Sequence, residues 1–128
     1  MKTEIKWNAD LFGVEIQTKN EHFVISAQPS MVMSWYDAVR YFGVSNEWEL
    51  PTKDQLKVVS AHISTINDLI KENRGYEIQG LFWAADGSDE IFSAWRVYIR
   101  DGDAYTGCKV YANEVRAVSS LKNQDFDF

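Results

Sequence analysis

The order of patterns along this chain predicts an α+β fold: a twisted, mainly antiparallel sheet with two to three helices. Three observations carry that prediction. Apolar and polar residues alternate with period two near both ends, in Val14-Glu15-Ile16-Gln17-Thr18 and in Ala94-Trp95-Arg96-Val97-Tyr98-Ile99. The middle switches to helical period, with Trp35, Ala38, Val39 and Phe42 at i, i+3, i+4 and i+7. Between these helical stretches, Pro51 is followed by Thr52-Lys53-Asp54-Gln55, the spacing of a capping box. Strands, then helices, then strands favour an α+β arrangement over alternating parallel units.

Each element has its own justification. Ile5 to Trp7 reads as a short edge strand. Val14–Thr18 and Phe23–Ser26, broken by Lys19-Asn20-Glu21-His22, read as a β-hairpin that ends at Gln28-Pro29-Ser30. Ser34 opens the first helix, and Gly43 stands where a left-handed C-terminal residue belongs. Thr52 opens the second, with Leu56 and Val59 inward. The third is expected from Thr65 to Arg74, capped by Ser64 and stopped by Gly75, with Ile66, Leu69 and Ile70 inward. Gly80–Ala84 is a short buried strand, and Ala85–Glu90 a polar loop. Asp101-Gly102-Asp103 is a turn after the alternating Ala94–Ile99. Tyr105 to Val110 carries no clear pattern. Glu114–Val118 closes the sheet. The polar, acidic tail from Lys122 to Phe128 is expected to fray, leaving residues 1–121 as one domain.

Composition narrows the function. A chain of 128 residues with 45% hydrophobic residues can bury a core without staples and is not a disordered chain. Five Trp and six Tyr exceed what that core needs, and such rings also serve binding surfaces. The net charge of -6 and the scattered Lys and Arg make nucleic acid and anionic membrane poor partners. Cys108 is alone, so no intrachain disulfide can form, which suits a reducing compartment. No stretch approaches the roughly 20 apolar residues of a membrane span. No apolar run follows the N-terminal lysines, so no signal peptide is expected, and a cytoplasmic or phage-associated setting follows.

Several short runs share a resemblance. Glu49-Leu50-Pro51-Thr52 with Gln55-Leu56 is similar to the Trp-Arg-Leu-Pro-Thr-x-x-Glu-Leu signature of a bacterial domain family of unknown function, the Lcl C-terminal-like domains. Here Glu49 replaces the Arg, and Gln55 the Glu. Trp35-Tyr36-Asp37-Ala38 resembles the family's helix opening. Leu81-Phe82-Trp83-Ala84, Ala94-Trp95-Arg96-Val97 and Val115-Arg116-Ala117-Val118 resemble three of its strands, in the same order. The resemblance implies a C-type-lectin-like fold, distantly related to the formylglycine-generating enzymes. Arg116, flanked by apolar residues, is expected to pair with a carboxylate, and Glu49 is one candidate.

The chemistry of those relatives is missing. Neither the Glu-Pro-Asn or Gln-Pro-Asp triplet nor the Trp-Asn-Asp triplet of calcium-binding lectins occurs. Gln28-Pro29-Ser30 is a near match in the wrong place. One cysteine cannot supply the pair that formylglycine generation needs, and no zinc spacing, phosphate loop or nucleophile elbow is present. The expectation is therefore a non-enzymatic module, without metal or cofactor, that recognises a protein or carbohydrate. The alternative is a structural component of a phage or cell-surface appendage that forms homo-oligomers. C-type-lectin-like folds commonly present ligands between the third helix and the last strand, so the resemblance points to Asp86, Asp89, Arg96, Tyr98, Arg100, Tyr105 and Tyr111. On an alternating strand Arg96, Tyr98 and Arg100 share the face opposite Trp95, and Tyr98 between two cations is the centre of the expected patch.

Overall fold

The computed structural model describes residues 2–44 and 47–121, so the expectation for the tail from Lys122 to Phe128 lies outside the described residues. The fold is α+β, with three helices and two sheets in place of the single sheet expected. Strands β1 (Glu4–Asn8), β2 (Gly13–Gln17), β3 (His22–Ser26) and β9 (Val118–Ser120) form an antiparallel sheet in the order β1-β2-β3-β9. Strands β4 (Met31–Met33), β8 (Asn113–Val115), β5 (Leu81–Gly87), β6 (Ser93–Tyr98) and β7 (Ala104–Cys108) form a mixed sheet in that order. Among the described residues only β5 and β8 run parallel, registered at Phe82 and Glu114.

Helices α1 (Trp35–Gly43), α2 (Lys53–Ala61) and α3 (Ile63–Glu72) lie between β4 and β5 in sequence. The capping box at the start of α2 is present in full. The Gln55 N–H donates to Thr52 Oγ1 at 3.1 Å, and the Thr52 N–H donates to Gln55 Oε1 at 3.0 Å. Ser34 caps α1 by accepting from the Asp37 N–H at 3.1 Å. The main core joins Ile16, Phe23 and Ile25 of one sheet, Leu56, Ile66 and Ile70 of the helices, and Phe82 and Val97 of the other sheet. A second cluster packs Ala38 and Phe42 of α1 against Trp83, Ala94 and Val115 on the opposite face of the mixed sheet.

The expected closing strand Glu114–Val118 is divided between the sheets. Its first half pairs with β4, and its second half, as β9, pairs with β3. Residues 22–33 and 113–120 thus form one antiparallel ribbon that passes from sheet to sheet, pivoting at Ser26–Ser30 on one chain and Arg116–Ala117 on the other. Arg116 fills the pivot. It is 2% exposed, and its partners are not a carboxylate. It donates to Ser30 Oγ at 3.0 Å and to the carbonyls of Ser26, Tyr76 and Glu77 at 3.0, 2.8 and 2.9 Å. Glu49 is exposed and meets the final strand only through its backbone, in a bridge to Val118. Burial pulls the Arg116 guanidinium down to about 10, opposed by the Glu114 carboxylate.

Other boundaries move for local reasons. His22 belongs to β3 and not to the hairpin turn; its Nε2 lies 2.8 Å from Glu15 Oε2 across the strand pair. Helix α3 begins at Ile63 directly after α2, so His62 stands at its start and Ser64 lies inside it without a capping role. Gly43 has no positive φ, whereas Arg74 does, at 63°. Gly75 answers to space instead: a Cβ there would stand 2.7 Å from Ala27 Cβ and 2.9 Å from Ile70 Cγ2. Val39 sits on the exposed edge of the predicted apolar face of α1. The polar loop begins later than expected, because β5 continues through Ala85 and Asp86 to Gly87 past an irregular register.

Candidate functional site

The mixed sheet places the expected binding residues at its two ends. Strand β6 runs between them, starting at a tip formed by the β5–β6 turn and ending at the turn into β7. Four of the seven candidates gather at the far end: Arg96, Tyr98, Arg100 and Tyr105. Asp86, Asp89 and Tyr111 lie toward the tip.

Local structure fixes the far end. Asn67 on α3 donates to the Ile78 carbonyl at 3.1 Å and accepts from the Ile78 N–H at 2.8 Å, so residues 78–80 are held as a wall. Gly80 has φ +112 and its carbonyl accepts from the Ile99 N–H at 3.0 Å. Ser60 of α2 donates its hydroxyl to the Ile99 carbonyl at 2.6 Å. Gly102, with φ +78, allows the tight return in which its own N–H donates to the Tyr98 carbonyl at 2.8 Å. The result is an open groove of about 510 Å³ lined by Ile63, Ile78, Gln79, Gly80, Tyr98, Ile99 and Arg100.

Arg100 is not on the strand, which ends at Tyr98; it lies in the turn and reaches back. Its guanidinium carbon stands 4.8 Å from the centre of the half-buried Tyr98 ring, a cation–π pair at the groove's edge. Among the described residues Arg100 has no ion-pair partner. Tyr105, 46% exposed, stands on the neighbouring strand directly across from Arg96. Desolvation, then the carboxylates of Asp103 and Asp101 with a hydrogen bond to Asp103, push its hydroxyl above the ordinary value. An exposed phenol that keeps its proton over a wide range is a steady hydrogen-bond donor.

Arg96 is committed to the fold. Its side chain lies across Gly107, where a Cβ would stand 2.7 Å from Arg96 Cζ. Nη2 donates to the Thr106 carbonyl at 2.9 Å and Nη1 to Asn113 Oδ1 at 3.4 Å, while the buried Nε has no partner among the described residues. A guanidinium on the backbone of β7 also obstructs strand addition at this sheet edge. Asp86 is likewise structural: its Oδ1 accepts from the Lys53 N–H at 2.7 Å, adding a second cap to α2. Asp89 is exposed in the β5–β6 turn, and Tyr111 is exposed in the loop between β7 and β8.

Two further clefts flank α1 and had no sequence signal, because their walls come from segments far apart in the chain. One, of about 530 Å³, includes Trp35, Val39, Glu47, Trp48 and Glu49. The other, of about 570 Å³, includes Met31, Tyr41, Phe42, Trp48 and Val115, with Arg116 at its floor. The Arg116 donors are spent on the ribbon pivot, so this second cleft offers apolar walls and few convergent polar groups. The Tyr98 groove combines a ring with a guanidinium that has no ion-pair partner among the described residues.

Among the described residues no group of three or more His, Cys, Asp and Glu is placed to hold a metal ion, and no helix is long and apolar enough to cross a membrane. Cys108 is free and half-buried. No protein-family model matches the chain, and no curated protein matches it.

Proposed function

We propose that this chain is a non-enzymatic recognition module on a C-type-lectin-like scaffold, binding a protein or carbohydrate ligand without calcium at the groove end of its mixed sheet. The carrying observation is the Arg100–Tyr98 pair, ring and cation 4.8 Å apart, beside a groove with room for a ligand segment. The ring offers stacking area at low entropic cost, and the guanidinium offers a planar fork for carboxylate, sulfate or carbonyl oxygens. Tyr105 supplies a hydroxyl beside them. Neighbouring backbone is held by Asn67, Ser60 and Gly102, so the surface is preorganised and little ordering cost falls on binding.

The test is a paired screen of glycan and peptide arrays with the wild-type chain and Tyr98→Ala, in chelator and again in calcium. Ligands found with the wild type should bind Tyr98→Ala about 10- to 100-fold more weakly, the usual loss for a central aromatic contact. Ligands that bind both proteins equally, or only with calcium, would refute the reading.

A further inference from the structure

The opposite end of the mixed sheet carries a surface that the groove does not use. Ile91 and Phe92 in the β5–β6 turn are 76% and 68% exposed; Val110 and Tyr111 in the β7–β8 loop are 62% and 69% exposed. Polar loops seldom hold four such side chains, and these two loops are locked together. The Lys109 N–H donates to the Phe92 carbonyl at 2.8 Å, and the Lys109 carbonyl accepts from the Trp35 N–H at 3.0 Å. The Lys109 ammonium donates to the Ile91 carbonyl at 2.8 Å and lies 4.3 Å from the Trp35 ring and 5.8 Å from that of Tyr36. One residue therefore ties both loops to α1, and spends its charge inward.

Burial of a second copy accounts for this surface. With aromatic side chains offering roughly 150–250 Å² each, and the smaller Ile91 and Val110 less, the exposed fractions of these four residues and Tyr36 leave roughly 500 Å² of largely apolar area. That is near the top of what a monomer ordinarily exposes as one patch. It is also most of the roughly 800 Å² that each partner contributes to a stable pair, before any rim is counted. The exposed Asp89 and Glu90 border the patch as a charged rim. Such a surface is self-complementary about a two-fold axis, where apolar meets apolar. Asp89 and Glu90 immediately precede Ile91, and each chain carries a net charge of -6.

We propose that the chain forms a two-fold homodimer through this tip. The assignment does not depend on the groove reading. Strand β6 spans six residues, so roughly 20 Å separate the tip from Tyr98. A tip-to-tip dimer leaves both grooves open and facing away, a bivalent arrangement.

Sedimentation equilibrium across the micromolar range tests it. The weight-average mass should rise with concentration from 14.8 kDa toward twice that value. Salt should tighten the dimer severalfold by screening two acidic chains from each other. Phe92→Ser with Tyr111→Ser should raise the dissociation constant at least about tenfold, with the melting curve of the monomer unchanged. Ile91→Ser with Val110→Ser gives an independent second variant and should do the same. A wild-type chain that stays at monomer mass throughout overturns the proposal. So does a dimer that survives both double variants undiminished, or one that salt weakens.

Discussion

Replacing Arg116 with Met tests the ribbon pivot most directly, because the side chain is buried and its partners are not charged. Two opposing terms set the magnitude. Burial lowers the guanidinium well below its ordinary value, to about 10, which corresponds to about 3 kcal/mol of unfavourable charge burial that Met would recover. Against that, Met leaves the Ser30 hydroxyl and the carbonyls of Ser26, Tyr76 and Glu77 without their donors. Only the Ser26 carbonyl is a buried acceptor, costing about 2 kcal/mol; the other three are part-buried and within reach of water, so at about 1 kcal/mol each the loss outweighs the recovery by about 2 kcal/mol. Domains of this kind have about 5–15 kcal/mol in total, so Arg116→Met should stay folded with a measurable loss of stability.

Arg116→Lys keeps a charge but replaces the planar fork with a compact ammonium, and should lose about 2–3 kcal/mol. Urea melts at neutral pH, followed by tryptophan fluorescence and far-UV circular dichroism, measure both variants. A loss below about 1 kcal/mol for Arg116→Met would refute the reasoning. It would show that water meets the freed acceptors, or that the buried charge costs as much as its hydrogen bonds return.

Gly75→Ala forces a methyl against Ala27 and Ile70, neither of which has a flexible end to yield, and should cost about 1–3 kcal/mol in the same melts; an unchanged midpoint would show that the backbone there shifts freely. Burial pushes the Glu15 carboxyl up, but hydrogen bonds from His22 and Asn8 and the charge of Lys6 outweigh it and hold it below 4.5. A lowered folded-state value means that Glu15 contributes stability above 4.5, which is lost as pH falls through the lowered value. Glu15→Gln should therefore flatten the acid side of the stability curve, and parallel curves for the two proteins below pH 4.5 would exclude the effect. Tyr98 is half-buried, so Tyr98→Ala should cost about 1–2 kcal/mol of stability. A loss of about 3–5 kcal/mol would make the ring a core residue and remove it from the site.

Local signals in the sequence were read well. The alternation in Val14–Thr18, the Thr52–Gln55 box and the Asp101-Gly102-Asp103 turn each depend on residues within a few positions, and each stands in the structure close to those residues; Phe23–Ser26 stands as a strand with all four residues buried. What failed depends on distance. Val115-Arg116-Ala117-Val118 looks like one strand because its apolar pattern is continuous, yet it serves two sheets through pairings with residues some 80 to 95 positions away. Arg116 invited a search for a carboxylate, but backbone carbonyls carry no sequence mark. Arg96 and Arg100 were both placed beside Tyr98 by strand parity. Parity has no meaning past Tyr98, where the strand ends, and Arg100 reaches the ring from a turn. The tip was invisible for the same reason: Ile91-Phe92 and Val110-Tyr111 are ordinary short apolar pairs until Lys109 draws their loops together.

The two ends of the mixed sheet differ in how much they share with the core. Ile99 and Ile78, beneath the groove, belong to the main hydrophobic cluster, and the groove's backbone is held by Ser60 and Asn67 from the two central helices. Its geometry therefore depends on the fold's global stability. The tip depends on Lys109 and on the first turn of α1. That helix packs on the second cluster with Trp83, Ala94 and Val115. Val115 is the last residue of β8 before the Arg116 pivot. The pivot fixes where β8 leaves the sheet, and β8 determines where the β7–β8 loop must land. Arg116 thus sits upstream of the tip as well as of the core, although it touches neither Phe92 nor Tyr111. Its bonds to the Tyr76 and Glu77 carbonyls also end one residue before Ile78, so loosening it should disturb the groove wall as well as the apolar platform.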